Sequence, residues 1–278
     1  MGEGGSWIEA LLSTVSHTTM SLTAEADVYA TVLITGVSPN SLGEALALAL
    51  ATQNPALLIL ASRTKSKLHA VATEIRASSP DVNLKEIIVD LSSLNSVRGA
   101  AEEIAGTVSK NGTIDVLFNN AGINISEHRF TEKGVEMQFA TNHLGPFLLT
   151  NLLLPVILRG GDAKRIVNTS SEAHRISPVR FSDINQEPGK VVEQEDMPRR
   201  GLPKGMLRGR GGYEPAVAYG QSKTANVLFA IGLNERLARK RLKCLAVMPG
   251  SEFDDSPKSR ILKGIRAFRK ANVLIQTS

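Results

Sequence analysis

From residue 28 onward the chain alternates short, continuous apolar runs with longer stretches whose apolar residues recur at spacings of three and four. The runs "VYATVLI", "ALLILAS", "LKEIIVD", "IDVLFNN", "KRIVNTS" and "LKCLAVM" have the length and unbroken apolarity of strands buried on both faces. Between them, "SLGEALALALATQ", "SKLHAVATEIRAS", "NSVRGAAEEIAGTVS", the long "VEMQFATNHLGPFLLTNLLLPVIL" and "SKTANVLFAIGLNERLAR" read as helices. Strands separated by helices pair in parallel, because each crossover passes over a face of the sheet and returns in the same direction. The pattern predicts an α/β fold, a doubly wound parallel sheet in a single domain over residues 28–250. Ligands of such sheets sit at the carboxyl ends of the strands.

Composition narrows the function classes. A chain of 278 residues with 42% apolar and 21% charged residues can bury one sizeable core. Cys244 is the one cysteine, so an intrachain disulfide is excluded, which fits a reducing compartment. The formal charge of +5 favours anionic ligands such as phosphates and is too small to argue for nucleic acid. The tract "RRGLPKGMLRGRGG" has the arginine and glycine of some RNA-binding segments but no interleaved aromatics, so no nucleic-acid partner is expected. No stretch approaches the ~20 uninterrupted apolar residues of a membrane span. The first 27 residues carry no lysine or arginine, as a secretory or mitochondrial leader would, and read as a loosely ordered extension of a cytoplasmic protein. Residues 175–217, rich in Gly, Pro and charge, read as a long substrate-side loop within the domain.

Two local patterns carry chemistry. In "TVLITGVSPNSLGEALA" a strand passes through a glycine turn into a helix, whose free N–H groups suit a pyrophosphate. Gly36 can take a backbone shape closed to other residues, and Gly43 allows close packing at the helix start. The next strand ends in "LASRTKSK", where an acidic residue would hold the ribose 2′-hydroxyl of NAD. Ser62, Arg63 and Lys65 stand there instead, and a guanidinium suits the 2′-phosphate of NADP. Asp90, ending the third strand, is placed to accept from an adenine amino group. The second pattern is "AYGQSKTAN", which sets Tyr219 and Lys223 four residues apart, on one face of a helix. An ammonium beside a phenol favours the phenolate and tunes it for acid–base work. A packed phenol beside a solvated lysine is the alternative reading of the pair alone.

Together the motifs resemble those of the short-chain dehydrogenase/reductase family, most closely its retinol-dehydrogenase-like branch with many fungal members. The resemblance runs from Val28 to Gly250 through "TGVSPNSLG", "ASR", "VDLSS", "NNAG", "TNHLGPFLLT", "RIVNTSSEAH" and "YGQSK". It implies a Rossmann fold and an oxidoreductase that uses NADP on a carbonyl or secondary alcohol of a small apolar substrate. Fungal specialised metabolism is the implied setting. By resemblance Tyr219 is the proton donor, and Lys223 lowers its pKa and holds the nicotinamide ribose. Ser171 binds the substrate oxygen, and Asn142 anchors a relay water. Asn119, Ala121 and Gly122 flank the adenosine ribose. Ser38, Ser41, Leu42, Leu91, Pro249 and Gly250 complete the implied cofactor contacts, and a homo-oligomer is allowed. His143 and His174 have no partners at zinc spacing, so no metal is expected.

The chain departs from the family pattern in three places. The glycine loop is one residue longer, with Ser41 where the middle glycine stands. Ser171 and Tyr219 are 48 positions apart, which implies an enlarged substrate lid. After "PG", Glu252 and Asp254 replace an apolar residue and a threonine. The last segment, "SRILKGIRAFRKANVLIQTS", reads as a basic amphipathic helix, so the sheet is expected to lack its last strand. These departures leave a second reading open, a truncated NADP-binding protein with little or no catalytic activity.

Overall fold

A computed structural model of the chain describes residues 30–108, 110, 112–159, 164–187, 213–238, 240–249 and 272–275. The six apolar runs form six parallel strands: β1 (Thr31–Thr35), β2 (Leu57–Ser62), β3 (Leu84–Ile88), β4 (Val116–Asn119), β5 (Lys164–Thr169) and β6 (Leu242–Met248). Their spatial order is β3-β2-β1-β4-β5-β6, so the winding reverses between β1 and β4. That reversal opens a crevice above the strand ends.

Side chains alternate across the sheet, and each face is covered by helices. Val32 and Ile34 of β1 pack with Leu46 and Leu50 of α1 (Leu42–Ala51) and Leu68, Val71 and Ile75 of α2 (Lys65–Ser78). Leu33 points the other way, into a cluster with α3 (Leu94–Thr107), α4 (Gly145–Ile157) and α5 (Pro215–Arg236). This two-sided burial is why the strands read as unbroken apolar runs. Away from the crevice, Lys164, only 2% exposed, sits 2.6 Å from Asp115 Oδ1, while Asp115 Oδ2 accepts from the Thr31 N–H. Breaking such a buried pair leaves an uncompensated charge.

The structure departs from the sequence reading at three elements. The long helix expected over 135–158 is a short α-turn (Met137–Phe139), a π-helical turn (Ala140–Leu144) and then α4. Gly145 lies where the Leu91 carbonyl comes so close that no side chain fits. The helix expected from Ser222 begins at Pro215, whose fixed φ suits a first helical turn. Finally, the sheet does not end at β6. Asn272–Ile275 forms β7, antiparallel to β6, within the segment read as a basic helix. The Val-Leu-Ile run has the β-propensity to pair with an edge strand's open N–H and C=O groups. The N-terminal extension, Gly250, Glu252, Asp254 and the arginine–glycine tract lie outside the described residues. No helix among the described residues is long and apolar enough to cross a membrane.

Candidate active site

The turn after β1 is held open by Gly36, whose φ of +77° is closed to most side chains. A Cβ there would stand 2.5 Å from the Ala121 Cα, so the turn and the β4 end are in backbone contact. Ser41 is the N-cap of α1: its Oγ accepts from the Glu44 N–H at 3.2 Å and from the Ser38 N–H at 3.3 Å. The Glu44 carboxylate reaches back to the N–H of Asn40 at 2.7 Å. Asn40 itself is left-handed, with φ 59°. The pair is a capping box whose return bond falls one residue early, which is how the longer loop closes on the helix. Burial raises the pKa of Glu44; the Asn40 N–H works against this, and Glu74 adds to it.

A cleft of about 360 Å³ opens at the carboxyl ends of the strands. Its floor is the glycine turn: Gly36, Ser38, Ser41, Leu42 and Gly43. One wall carries Ser62, Arg63, Thr64 and Lys67, another Val89, Asp90 and Leu91, and the far side Asn120, Ala121, Gly122, Ile123 and Thr141. Asp90 is turned by its own loop, Oδ1 accepting from the N–H and hydroxyl of Ser92.

Three residues expected at the cofactor lie outside the lining of this cleft. Lys65 does not line the cleft, whereas Lys67 does. Two residues along a helix lie on nearly opposite sides, and α2 begins at Lys65. Asn119 is buried, its Nδ2 donating to Thr150 Oγ1 (2.9 Å) and Asn168 Oδ1 (2.8 Å). Strand alternation sends the next residue, Asn120, to the cleft side, where its Nδ2 donates to the Thr35 carbonyl at 2.9 Å. Pro249, after β6, is buried and is not among the cleft-lining residues.

The far side of the cleft runs into a second group of residues. Ser171 follows β5 and caps the 3₁₀ turn Glu172–Arg175, its Oγ accepting from the Ala173 N–H at 3.3 Å. Its hydroxyl faces the phenol of Tyr219 on α5, near enough to favour the phenolate. One turn further along α5, Lys223 Nζ lies 5.4 Å from the Tyr219 ring centre and donates to the Thr169 carbonyl at 3.1 Å. Asn142, in the π-turn, is fully buried. Its Oδ1 accepts from the Ile123 N–H at 2.7 Å, and its Nδ2 donates to the Ile123 carbonyl (2.9 Å) and to Ser222 Oγ (3.0 Å). Its side chain is thus committed to the protein. Gly122 joins the two groups: a Cβ there would lie 3.2 Å from Lys223 Nζ and 3.4 Å from Asn142 Oδ1.

The electrostatics differ from the sequence expectation in one respect. The phenol of Tyr219 is raised above its ordinary pKa, not lowered, because burial outweighs the nearby Ser171 hydroxyl. Lys223, 3% exposed, is pushed down to about 8 by burial. At neutral pH the phenol holds its proton and the ammonium its charge.

A buried polar cluster without any sequence signal ties these elements together. Tyr213 donates to Glu136 Oε1 at 2.8 Å, and Gln138 Nε2 donates to the Tyr213 hydroxyl at 2.8 Å. The Phe139 N–H donates to Glu136 Oε2 at 2.7 Å, and His128 stacks on Tyr213 at 4.3 Å. Burial raises the pKa of both Glu136 and Tyr213. The start of α5 is thereby pinned to the segment that leads into the π-turn. His143 packs among Phe139, Phe147 and Phe229 with Nδ1 3.2 Å from Asn226 Oδ1, and His174 Nδ1 lies 2.6 Å from the Ser171 carbonyl. Among the described residues no three His, Cys, Asp or Glu side chains converge on a metal site.

Comparison with known proteins places this geometry. The short chain dehydrogenase family matches residues 30–182. The oxidoreductase fscI of Fusarium equiseti is 36% identical over 229 residues, covering 81% of this chain and 88% of that protein. Human retinol dehydrogenase 13 is 36% identical over 220 residues, and the match spans 79% of this chain but 58% of the human protein. An uncharacterized protein of Mycobacterium paratuberculosis has a solved structure that superposes with a TM-score of 0.64 at 33% identity, covering 90% of this chain and 80% of that one. The chain belongs to the short-chain dehydrogenase/reductase family, in its retinol-dehydrogenase-like branch, and is an oxidoreductase that acts on alcohols.

Proposed function

We propose that the protein is an NADP-dependent reductase of a ketone carbonyl on a small apolar molecule, running in reverse as a secondary-alcohol dehydrogenase. The observation that carries this reading is the convergence of Ser171, Tyr219 and Lys223 beside Gly122, at the edge of a cleft shaped for a dinucleotide. The residues present fit that cofactor. Gly36 and Gly43 let the turn pack against the β4 end and against the start of α1, α1 offers its N-terminal N–H groups to the cleft, and Arg63 and Lys67 line the wall where an acid would select NAD. NADPH, when bound, supplies the hydride.

The chain's own residues do the rest. Ser171 and Tyr219 hold the substrate oxygen by donating hydrogen bonds to it, and these bonds strengthen as the oxygen becomes an alkoxide. Tyr219 then gives up its proton to that oxygen. A phenol that keeps its proton at neutral pH is suited to this direction. The Lys223 ammonium, anchored on the Thr169 carbonyl, sits close enough to favour the phenolate left behind. Asn142 braces Ile123 and Ser222, so the turn beside Gly122 and the catalytic helix keep their spacing. Specialised metabolism and the cytoplasm are the setting we propose.

The test is NADPH oxidation against a panel of ketones, aldehydes and quinones. Turnover that disappears in Tyr219→Phe supports the reading. Tight NADPH binding with no turnover on any panel member would instead favour a cofactor-binding protein without catalysis.

A further inference from the structure

A buried side-chain amide carries two N–H donors and a carbonyl acceptor, and leaving any of them unpaired is costly. Gln138 has no exposed surface and pairs both of its polar atoms with other parts of the site. Its Oε1 accepts from the Ile125 N–H at 3.2 Å. Its Nε2 donates to the Tyr213 hydroxyl at 2.8 Å and to the Pro215 carbonyl at 3.2 Å. The amide has one workable orientation, because a backbone N–H only donates and a carbonyl only accepts. Tyr213 gives its own proton to Glu136 Oε1, which leaves its oxygen to accept from Gln138.

Asn142, four residues on, repeats this connection. It holds Ile123 by both the N–H and the carbonyl, and it donates to Ser222 on α5. Two amides on one short helical segment therefore tie the same two elements together. One element is the stretch 123–125 that follows Gly122, where Ile123 lines the cleft. The other is the helix that carries Tyr219 and Lys223. Its two attachment points, Pro215 and Ser222, lie roughly 10 Å apart along the axis, and Tyr219 falls between them. A single tie fixes a distance and leaves the helix free to pivot about it. Two ties separated along the axis fix its direction as well.

Resting on the reading that Tyr219 protonates a carbonyl oxygen beside Gly122, we propose that Gln138 is a positioning residue for that reaction. It sets the angle of α5 against the 123–125 wall, and so aims the Tyr219 phenol at the space where the substrate oxygen must sit. Gln138 is fully buried and does not line the cleft, so it acts through Tyr219 and not by touching a ligand. Reaction rates are steep in such placement, a shift of about 1 Å costing up to ~10²-fold.

The experiment compares the wild type with two variants. Gln138→Met keeps the length of the side chain and removes its hydrogen bonds. Tyr213→Phe removes the hydroxyl but leaves Gln138 its bonds to Ile125 and Pro215. For each we would measure the single-turnover rate of NADPH oxidation with an active ketone, the affinity for NADPH, the melting temperature, and hydrogen exchange of the peptide containing the Ile125 amide. We expect Gln138→Met to lower the single-turnover rate about tenfold, with NADPH affinity changed less than about twofold and faster exchange at Ile125. Tyr213→Phe should lower the melting temperature comparably, since the buried Glu136 loses a donor, yet keep the rate within about threefold of wild type. Gln138→Asn, one methylene too short to reach both sides, should show the same split at smaller amplitude, and it decides the matter if Gln138→Met does not fold. An unchanged rate in the Gln138 variants, with the wild type active, overturns this proposal and leaves the proposed function standing. So does a rate that falls equally in Gln138→Met and Tyr213→Phe, in step with the melting temperature, which is loss of stability alone. A wild-type chain that reduces no ketone overturns both the proposed function and the role of Gln138 that rests on it.

Discussion

The two ends of the cleft are built on opposite principles. At the end that faces β2, Arg63, Thr64 and Lys67 are all exposed side chains. Charges of this kind act through water, are screened by salt, and select a ligand without needing a fixed geometry. At the other end, Asn142 and Lys223 are buried and each is held by named partners, and Ser171 faces the phenol of Tyr219. Burial there displaces both protons that matter, raising the phenol and lowering the ammonium to about 8. An enzyme can recognise a phosphate with mobile cations, but a proton donor must be fixed and desolvated to be tuned.

The strongest way to break this contrast is to remove the proposed proton donor. Tyr219→Phe should lower turnover by roughly 10²–10⁴-fold, the scale of general acid catalysis, with NADPH affinity changed less than about twofold. Stopped-flow reduction and a binding titration on the same variant separate the two effects. Near-normal turnover would take Tyr219 out of the mechanism.

The joint between the ends is Gly122. Gly122→Ala places a methyl 3.2 Å from Lys223 Nζ and 3.4 Å from Asn142 Oδ1, so one of them must give way by a few tenths of an ångström. Turnover should fall roughly tenfold through misplacement of the lysine. The preference for NADPH over NADH should stay as it is. A shifted preference would mean that the two ends are coupled more tightly than their separate construction implies.

The pH profile sharpens the comparison from the other side. Lys223 is charged below its pKa of about 8 and neutral above it, and the phenol stays protonated well beyond that. The kcat/KM for reduction reports the free enzyme. It should be level at neutral pH and fall as pH rises through about 8, one proton being lost. Stability should move the opposite way. A buried lysine with a lowered pKa costs stability while it is charged, and that cost is relieved between about 8 and its unfolded value of 10.5. Arg63→Ala should leave the midpoint of the activity profile where it is.

The smallest effects belong to the exposed end. Arg63→Ala should weaken NADPH binding about tenfold and Lys67→Ala a few-fold, with NADH hardly affected and both losses shrinking at high salt. Lys65→Ala should do nothing measurable to either cofactor. Equal losses for NADPH and NADH in Arg63→Ala would show that the guanidinium does not read the 2′-phosphate.

How far the sequence was legible follows the same division between local and distant causes. The six apolar runs became the six parallel strands because strands buried on both faces need unbroken apolarity, a property written along a few consecutive residues. Tyr219 and Lys223 fell on one helical face because a spacing of four does that in any helix. Arg63 was legible because it directly follows a strand that the apolar pattern had already located. Lys67 was missed in favour of Lys65 because helix phase depends on where the helix starts, and Thr64 as N-cap is a single-residue detail. That the Asn119 side chain points inward while Asn120 lines the cleft was hidden for a similar reason, since one step along a strand reverses the side-chain direction.

The sequence by itself determined the alternation of strand and helix, the glycine turn, the absence of an acid after β2 and the tyrosine–lysine spacing. Each of these is a short-range property, set by periodicity or by the chemistry of neighbouring residues. Only the tertiary structure decided the sign of the Tyr219 pKa shift, the burial of Lys223, the Tyr213–Glu136 cluster, the pairing of β7 with β6 and the bonds of the Gln138 amide. Those depend on how much water is left around a group and on which distant segment packs against it. Tyr213 and Glu136 are 77 positions apart, and β7 reaches β6 across residues that carry no mark of the pairing. Desolvation and long-range contact are sums over the folded neighbourhood of a residue, and no window of sequence contains that neighbourhood.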